Sequence, residues 1–205
     1  MMASQDRVDP GIIEDIAGAG RFAAARGWVP ATGGNFSARI DDRRIAITRS
    51  GAPKGCIGPD DVRAFDLSGP PPAGVSAEAP LHAARYRADP AIGAVLHVHS
   101  VAATVLSRVH AAENAILLRG YEMLKVVDGW TTHESEMRLP IFANNQDTAA
   151  LAIDIERSLD AHGPPAYLLA GHGLYAWGTS MSAALRHLEG LEFLLACHLE
   201  ERRLT

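Results

Sequence analysis

The sequence predicts an α/β fold in which a mixed β-sheet is covered by helices. Two observations point there. Strand-like and helix-like segments alternate along the chain. Hairpin signals occur among them, where two strand-like runs are joined by a few turn-forming residues. Taken in order, "DPGIIEDIAGAGRFAAARGW" has apolar residues at 12, 13, 16, 19, 22 and 23, which is helical spacing, with Gly27 placed to stop it. "GGNFSARI" and "RRIAIT" read as two strands around the turn "DDR". "SGAPKGCIGPDD" is a loop, "VRAFDL" a short strand, and the three prolines of "SGPPPAGVS" forbid regular structure. "AEAPLHAARYRAD" is a helix that tolerates Pro80 in its first turn. "AIGAVLHVH" is a strand and "SVAATVLSRV" a helix, whereas "AILLRGYEMLKVVDG" fits either period. "RLPIFAN" is a strand, and "DTAALAIDIERSLDAHG" a helix ended by Gly163 and two prolines. "AYLLAGHGLYAWG" is a strand pair around a glycine-flanked bend, and a long amphipathic helix closes the chain.

Composition narrows the function classes. At 205 residues and 47% hydrophobic, the chain can bury one sizeable core, so a single domain over 1–205 is expected. A formal charge of −5 with interspersed signs offers no basic footprint for nucleic acid, so any bound anion needs a local site. The first residues carry no apolar leader, and no uncharged apolar run reaches the ~18 residues a membrane span requires. Cys56 and Cys197 are too few for a disulfide framework. A cytoplasmic protein with reduced thiols is expected.

The chemistry concentrates in histidines. In "AVLHVHS", His97 and His99 interrupt an apolar strand, and residues two apart on a strand share a face. Two ligands seldom make a tight metal site. His172, in "LLAGHGLYAW", is the best third, because glycines on both sides let the backbone bend tightly around it. Three neutral imidazoles with an open position fit catalytic zinc, while iron, manganese and cobalt stay open, as do ordinary hydrogen-bonded core histidines. His82, His110, His133, His162, His187 and His198 read as surface or packing residues. "TRSGAPKG" offers an anion the Ser50 hydroxyl, the Gly51 amide and the Lys54 cation, and "GGNFS" offers Asn35.

"NFSARI", "TRSGAPKG", "SAEAPLH", "AVLHVHS" and "GHGLYAWG" occur in the order found in the class II aldolase and adducin superfamily, which the chain resembles from about Ile12 to Leu199. Within it, "RGYEMLK" and "LPIFANNQD" resemble the dehydratases that act on 5-methylthioribulose 1-phosphate in methionine salvage. The resemblance implies a three-layer α/β/α fold around a largely antiparallel sheet. It implies a homotetramer with active sites at subunit boundaries, and one Zn2+ per subunit on His97, His99 and His172. It also implies loss of water to give 2,3-diketo-5-methylthiopentyl 1-phosphate. Glu122, in "GYEML", matches the acid/base position of the dehydratases. Glu78, in "SAEAPLH", matches the catalytic glutamate of the aldolases and takes second place. Asn35, Ser50, Gly51 and Ser76 match phosphate positions, and Lys54 joins them on charge. Ala77 departs from the second serine common in aldolases. Tyr121, Met123 and Trp130 lie near the acid/base segment, as packing or as an apolar subsite. A class II sugar-phosphate aldolase or a pentose-phosphate epimerase is the alternative on this scaffold. An adducin-like binding module is the remote one.

Overall fold

In the computed structural model, residues 8–204 are described, and the amino-terminal stretch 1–7, expected to carry no leader, lies outside them with residue 205. Helix α1 (Pro10–Ala25) starts as its sequence chemistry requires: the Asp9 side chain accepts from the Gly11 N–H at 2.7 Å and Pro10 fills the first turn. Gly27, at φ +71°, turns the chain out of the helix. Strands β1 (Asn35–Arg39) and β2 (Arg44–Thr48) form the expected hairpin, with Asp41 accepting from the Arg43 and Arg44 N–H groups across the turn. Then follow β3 (Val62–Asp66), α2 (Ala79–Ala88), β4 (Ala94–Val98), α3 (Val101–Val109) and β5 (Ala115–Arg119). The chain continues through β6 (Glu136–Phe142), α4 (Thr148–Ser158), β7 (Ala166–Leu169), β8 (Gly173–Gly178) and α5 (Met181–Leu204).

The stretch that fitted either period splits in two. Ala115–Arg119 is an edge strand paired with β6, Gly120 at φ +79° breaks it, and Glu122–Val126 is a short 3-10 turn. Edge pairing decides what its apolar pattern left open.

The eight strands make one sheet in the order β3-β2-β1-β4-β8-β7-β6-β5, antiparallel at every pairing except β6 with β7. Alternation along each strand feeds two cores. Phe36, Leu96, Val98, Leu174 and Ala176 pack against α1, α3 and α5. Ile45, Val95, Tyr167, Tyr175 and Trp177 pack against α2 and α4. This is the three-layer α/β/α arrangement with a largely antiparallel sheet. No helix among the described residues is long and apolar enough to cross a membrane.

One buried carboxyl stands out in the α5 layer. Glu192 is 2% exposed and its Oε1 has no partner. Burial pushes its carboxyl up from 4.5 to about 7, with the Ser100 hydroxyl pulling the other way. The folded chain therefore holds a proton that the unfolded chain releases between these values, so stability falls as pH rises through that window and levels off above it. Glu192→Gln is expected to exceed the parent in stability at pH ~8 by on the order of 1–3 kcal/mol and to match it near pH ~4.5. Urea unfolding at both pH values measures the difference.

Candidate metal centre

The strand period places His97 on the α2/α4 side of the sheet and Val98 on the opposite side. His97 is fully buried in a row that runs across four strands: Asn35 on β1 pairs with His97, His97 with Tyr175 on β8, and Tyr175 with Tyr167 on β7. The His97 ring stacks on Tyr175 at 3.9 Å between centroids. His99 lies just past the strand end, where its N–H donates to the Trp28 carbonyl at 2.8 Å. His172 occupies the bend between β7 and β8. Gly171 there adopts φ +65°, and a Cβ on Gly173 would run into the Val98 carbonyl oxygen. The Thr104 hydroxyl donates to the His172 carbonyl at 2.8 Å, tying the bend to α3.

These placements bring the three Nε2 atoms together. His97 Nε2 lies 2.7 Å from His99 Nε2 and 3.4 Å from His172 Nε2. Glu78, beside the first turn of α2, adds its carboxylate, with Oε1 at 3.2 Å from His172 Nε2 and Oε2 at 3.5 Å from His97 Nε2. One donor atom from each of the four lies within 4.8 Å of the others. The helix N-terminus favours the negative charge of Glu78 at that point. His97 Nδ1 faces the Leu174 carbonyl at 3.0 Å, and a carbonyl only accepts, so the proton sits on Nδ1 and Nε2 presents a lone pair. Burial, reinforced by the neighbouring rings, pushes His97 well below the ordinary histidine value. Burial, with His172 and Lys54 nearby, takes His99 down to about 4. Three imidazoles and a carboxylate converging on one point form a donor set suited to a divalent cation.

With this geometry in place, the relatives of the chain are informative. Residues 14–199 match the family model described as "Class II Aldolase and Adducin N-terminal domain". The chain belongs to the class II aldolase and adducin family. Curated relatives called methylthioribulose-1-phosphate dehydratase are 50% identical in Sorangium cellulosum, over 90% of each chain, and 50% identical in Pseudomonas aeruginosa, over 92% of this chain and 94% of that one. Among solved structures, L-fuculose-1-phosphate aldolase from Thermus thermophilus superposes with a TM-score of 0.76 at 26% identity, covering 94% of this chain and 95% of that one.

Within this class II aldolase frame, the remaining expected site residues fall into two groups. Asn35, Ser76 and Glu78 are together: Asn35 Nδ2 donates to Ser76 Oγ at 3.1 Å and to Glu78 Oε2 at 2.5 Å. Ser76 Oγ also accepts from the Glu78 N–H at 3.2 Å. A bridge between Arg49 and Val75, and the Ser50 N–H on the Gly74 carbonyl, bring the Ser50–Gly51 loop beside Ser76. Lys54 is buried, and its Nζ donates to the carbonyls of Thr32 and Ala52 at 2.9 and 2.6 Å.

Glu122 belongs to the second group. The strand registers align the ends of β4, β7 and β6 with the start of β8, so β5 finishes at Arg119 at the opposite end of the sheet from the cluster. Glu122 follows that end, with its side chain 68% exposed, paired with Lys125 and 3.7 Å from His133. Lys125 holds its carboxyl below the usual range. Tyr121, Met123 and Trp130 pack on the α1/α3/α5 core. Two contributors escaped sequence reasoning. Thr104 had no signal. His82 had one, since Glu78, His82 and Tyr86 are spaced four apart and share one face of α2.

Gly173→Ala is expected to cost about 1–3 kcal/mol, because β4 and β8 must part to admit the methyl group. The shift of the urea midpoint reads this directly.

Proposed function

We propose that the chain is a zinc-dependent hydro-lyase converting 5-methylthioribulose 1-phosphate to 2,3-diketo-5-methylthiopentyl 1-phosphate and water, a step of methionine salvage. The observation that carries this reading is the convergence of His97, His99 and His172 beside Glu78, in a chain whose curated relatives are dehydratases of that phosphate. The reaction needs a base to take the proton from the carbon beside the ketone. The hydroxyl on the next carbon then accepts a proton and leaves as water, and the enol left behind ketonises, losing its O–H proton and gaining one on carbon, to give the diketone. His97, His99 and His172 hold the cation. When bound, it supplies Lewis-acid stabilisation of negative charge on the ketone oxygen, worth several kcal/mol.

Glu122 takes and returns the proton, and its carboxylate is supplied by a neighbouring copy in a homotetramer. Its exposure and its remoteness from the cluster of its own chain favour that arrangement. Glu78 receives the Asn35 amide and orients substrate or water at the cation. Ser50, Gly51, Ser76 and Lys54 bind the phosphate, with Asn35 acting through Ser76. An aldolase or epimerase is the second reading, favoured by the one observation that Glu78 is the carboxylate beside the cluster in the same chain.

The decisive assay follows diketone formation from 5-methylthioribulose 1-phosphate by purified, metal-analysed protein. Glu122→Gln is expected to lower this rate roughly 10²- to 10⁴-fold. Full activity in that variant overturns the role of Glu122. Carbon–carbon cleavage that depends on Glu78 alone moves the chain to the second reading. Mixing Glu122→Gln with His97→Ala subunits is expected to regain activity, because some sites then combine an intact triad with an intact Glu122. His97→Ala, His99→Ala and His172→Ala are each expected to lose the metal by elemental analysis while the circular dichroism spectrum is kept.

A further inference from the structure

Behind Asn35 and Glu78 lies a buried network, Ser37, His82 and Tyr86, that the proposed reaction does not use. β1 and α2 lie side by side, and their polar residues interlock. On β1, Asn35 and Ser37 are two apart, a spacing of about 6.6 Å along a strand. On α2 and at its N-cap, Glu78, His82 and Tyr86 are four apart, about 6 Å per step along a helix. The two repeats nearly match, so the side chains alternate across the gap. His82 Nε2 lies 2.5 Å from Asn35 Oδ1, and His82 Nδ1 lies 2.7 Å from Ser37 Oγ. Ser37 Oγ is also 3.0 Å from the Tyr86 hydroxyl, with the Val95 carbonyl further away at 3.4 Å.

The hydrogens in this chain have one consistent arrangement. Glu78 can only accept, so Asn35 turns its NH₂ edge towards it. The Asn35 oxygen then faces His82 and needs a donor there. His82 is fully buried, and burial takes its imidazolium down to about 3, so the ring is neutral and has a single N–H to give. That hydrogen belongs on Nε2. Nδ1 is left bare, and the Ser37 hydroxyl donates to it while Tyr86 donates to Ser37. The alternative tautomer sets two acceptors against each other, either at His82 and Asn35 or, with the amide flipped, at Asn35 and Glu78.

We propose that His82 is a positioning residue of the metal centre: its Nε2–H fixes the Asn35 amide so that the NH₂ edge holds Glu78 against His97 and His172. This rests on the proposed metal centre and deepens it by one shell of hydrogen bonds. His82 touches neither the cation nor the substrate. It acts through Asn35, on which both Ser76 and Glu78 depend.

The test uses Co2+ as the probe, because its visible spectrum reports the coordination sphere without any substrate. His82→Leu removes the donor and strands the Asn35 oxygen. It is expected to weaken Co2+ binding roughly 10- to 100-fold and to alter the spectrum. His82→Gln places an amide N–H near the lost Nε2 and is expected to restore affinity to within a few-fold of the parent. A folded His82→Leu protein that binds Co2+ with the parent's affinity and spectrum overturns the proposal, as does a Gln variant no better than Leu. Nitrogen NMR of isotope-labelled histidine in the unaltered protein, with the His82 signal identified by its loss in His82→Gln, gives a reading independent of how the Leu variant folds. The Nε2–H tautomer is expected, and an Nδ1–H tautomer overturns the assignment. Failure of the dehydratase assay leaves both readouts intact, so the two readings fail separately.

Discussion

Everything in this site depends on holding several electron-pair donors against one another at the end of a sheet. The Nε2 atoms of His97, His99 and His172 and the carboxylate of Glu78 crowd into one small volume. A cation needs them all to turn lone pairs to the same point, so the surrounding structure has to keep them in place. The frame does this with backbone bonds and close packing. The Leu174 carbonyl fixes the His97 ring, the Trp28 carbonyl fixes the His99 backbone, and Thr104 fixes the bend that carries His172. Close approach at Gly173 lets β8 meet β4 tightly enough for His172, in the bend just before β8, to reach His97 and His99.

The sheet separates two tasks. On the α1/α3/α5 side its residues are apolar and supply the larger core. On the α2/α4 side the same strands carry Asn35, Ser37, His97, Tyr167 and Tyr175 in neighbouring registers. A polar row inside a core is costly unless each group has a partner. α2 and its N-cap provide partners at helical spacing for Asn35 and Ser37, through Glu78, His82 and Tyr86, whereas the buried hydroxyls of Tyr167 and Tyr175 have no hydrogen-bond partner among the described residues. Glu192 is a further case in the opposite layer, a buried carboxyl with one oxygen unpartnered, whose ionisation burial opposes.

Much of the frame was legible from local pattern. The first helix and its stop, the β1–β2 hairpin, the HxH strand and the glycine-bracketed histidine all depend on neighbours in sequence, so they could be read there. The segment around Glu122 was less legible. Its apolar residues fit two periods, and the choice between them rests on pairing with β6, which is remote in sequence. The distance of Glu122 from the cluster of its own chain was equally hidden. It follows from the registers of four strands taken together, which no single segment encodes.

By itself, the sequence determined the residue types and their local directions: imidazoles two apart on one strand face, a third between glycines, and a glutamate at a helix start. Short-range sterics and backbone period suffice for that. Only the tertiary structure decided which of these groups meet. Asn35, Glu78, His97 and His172 come from different elements, and their convergence depends on strand order and on the face each helix turns to the sheet. It also gave His82 its place, because a histidine on a helix has no meaning until the strand opposite is known.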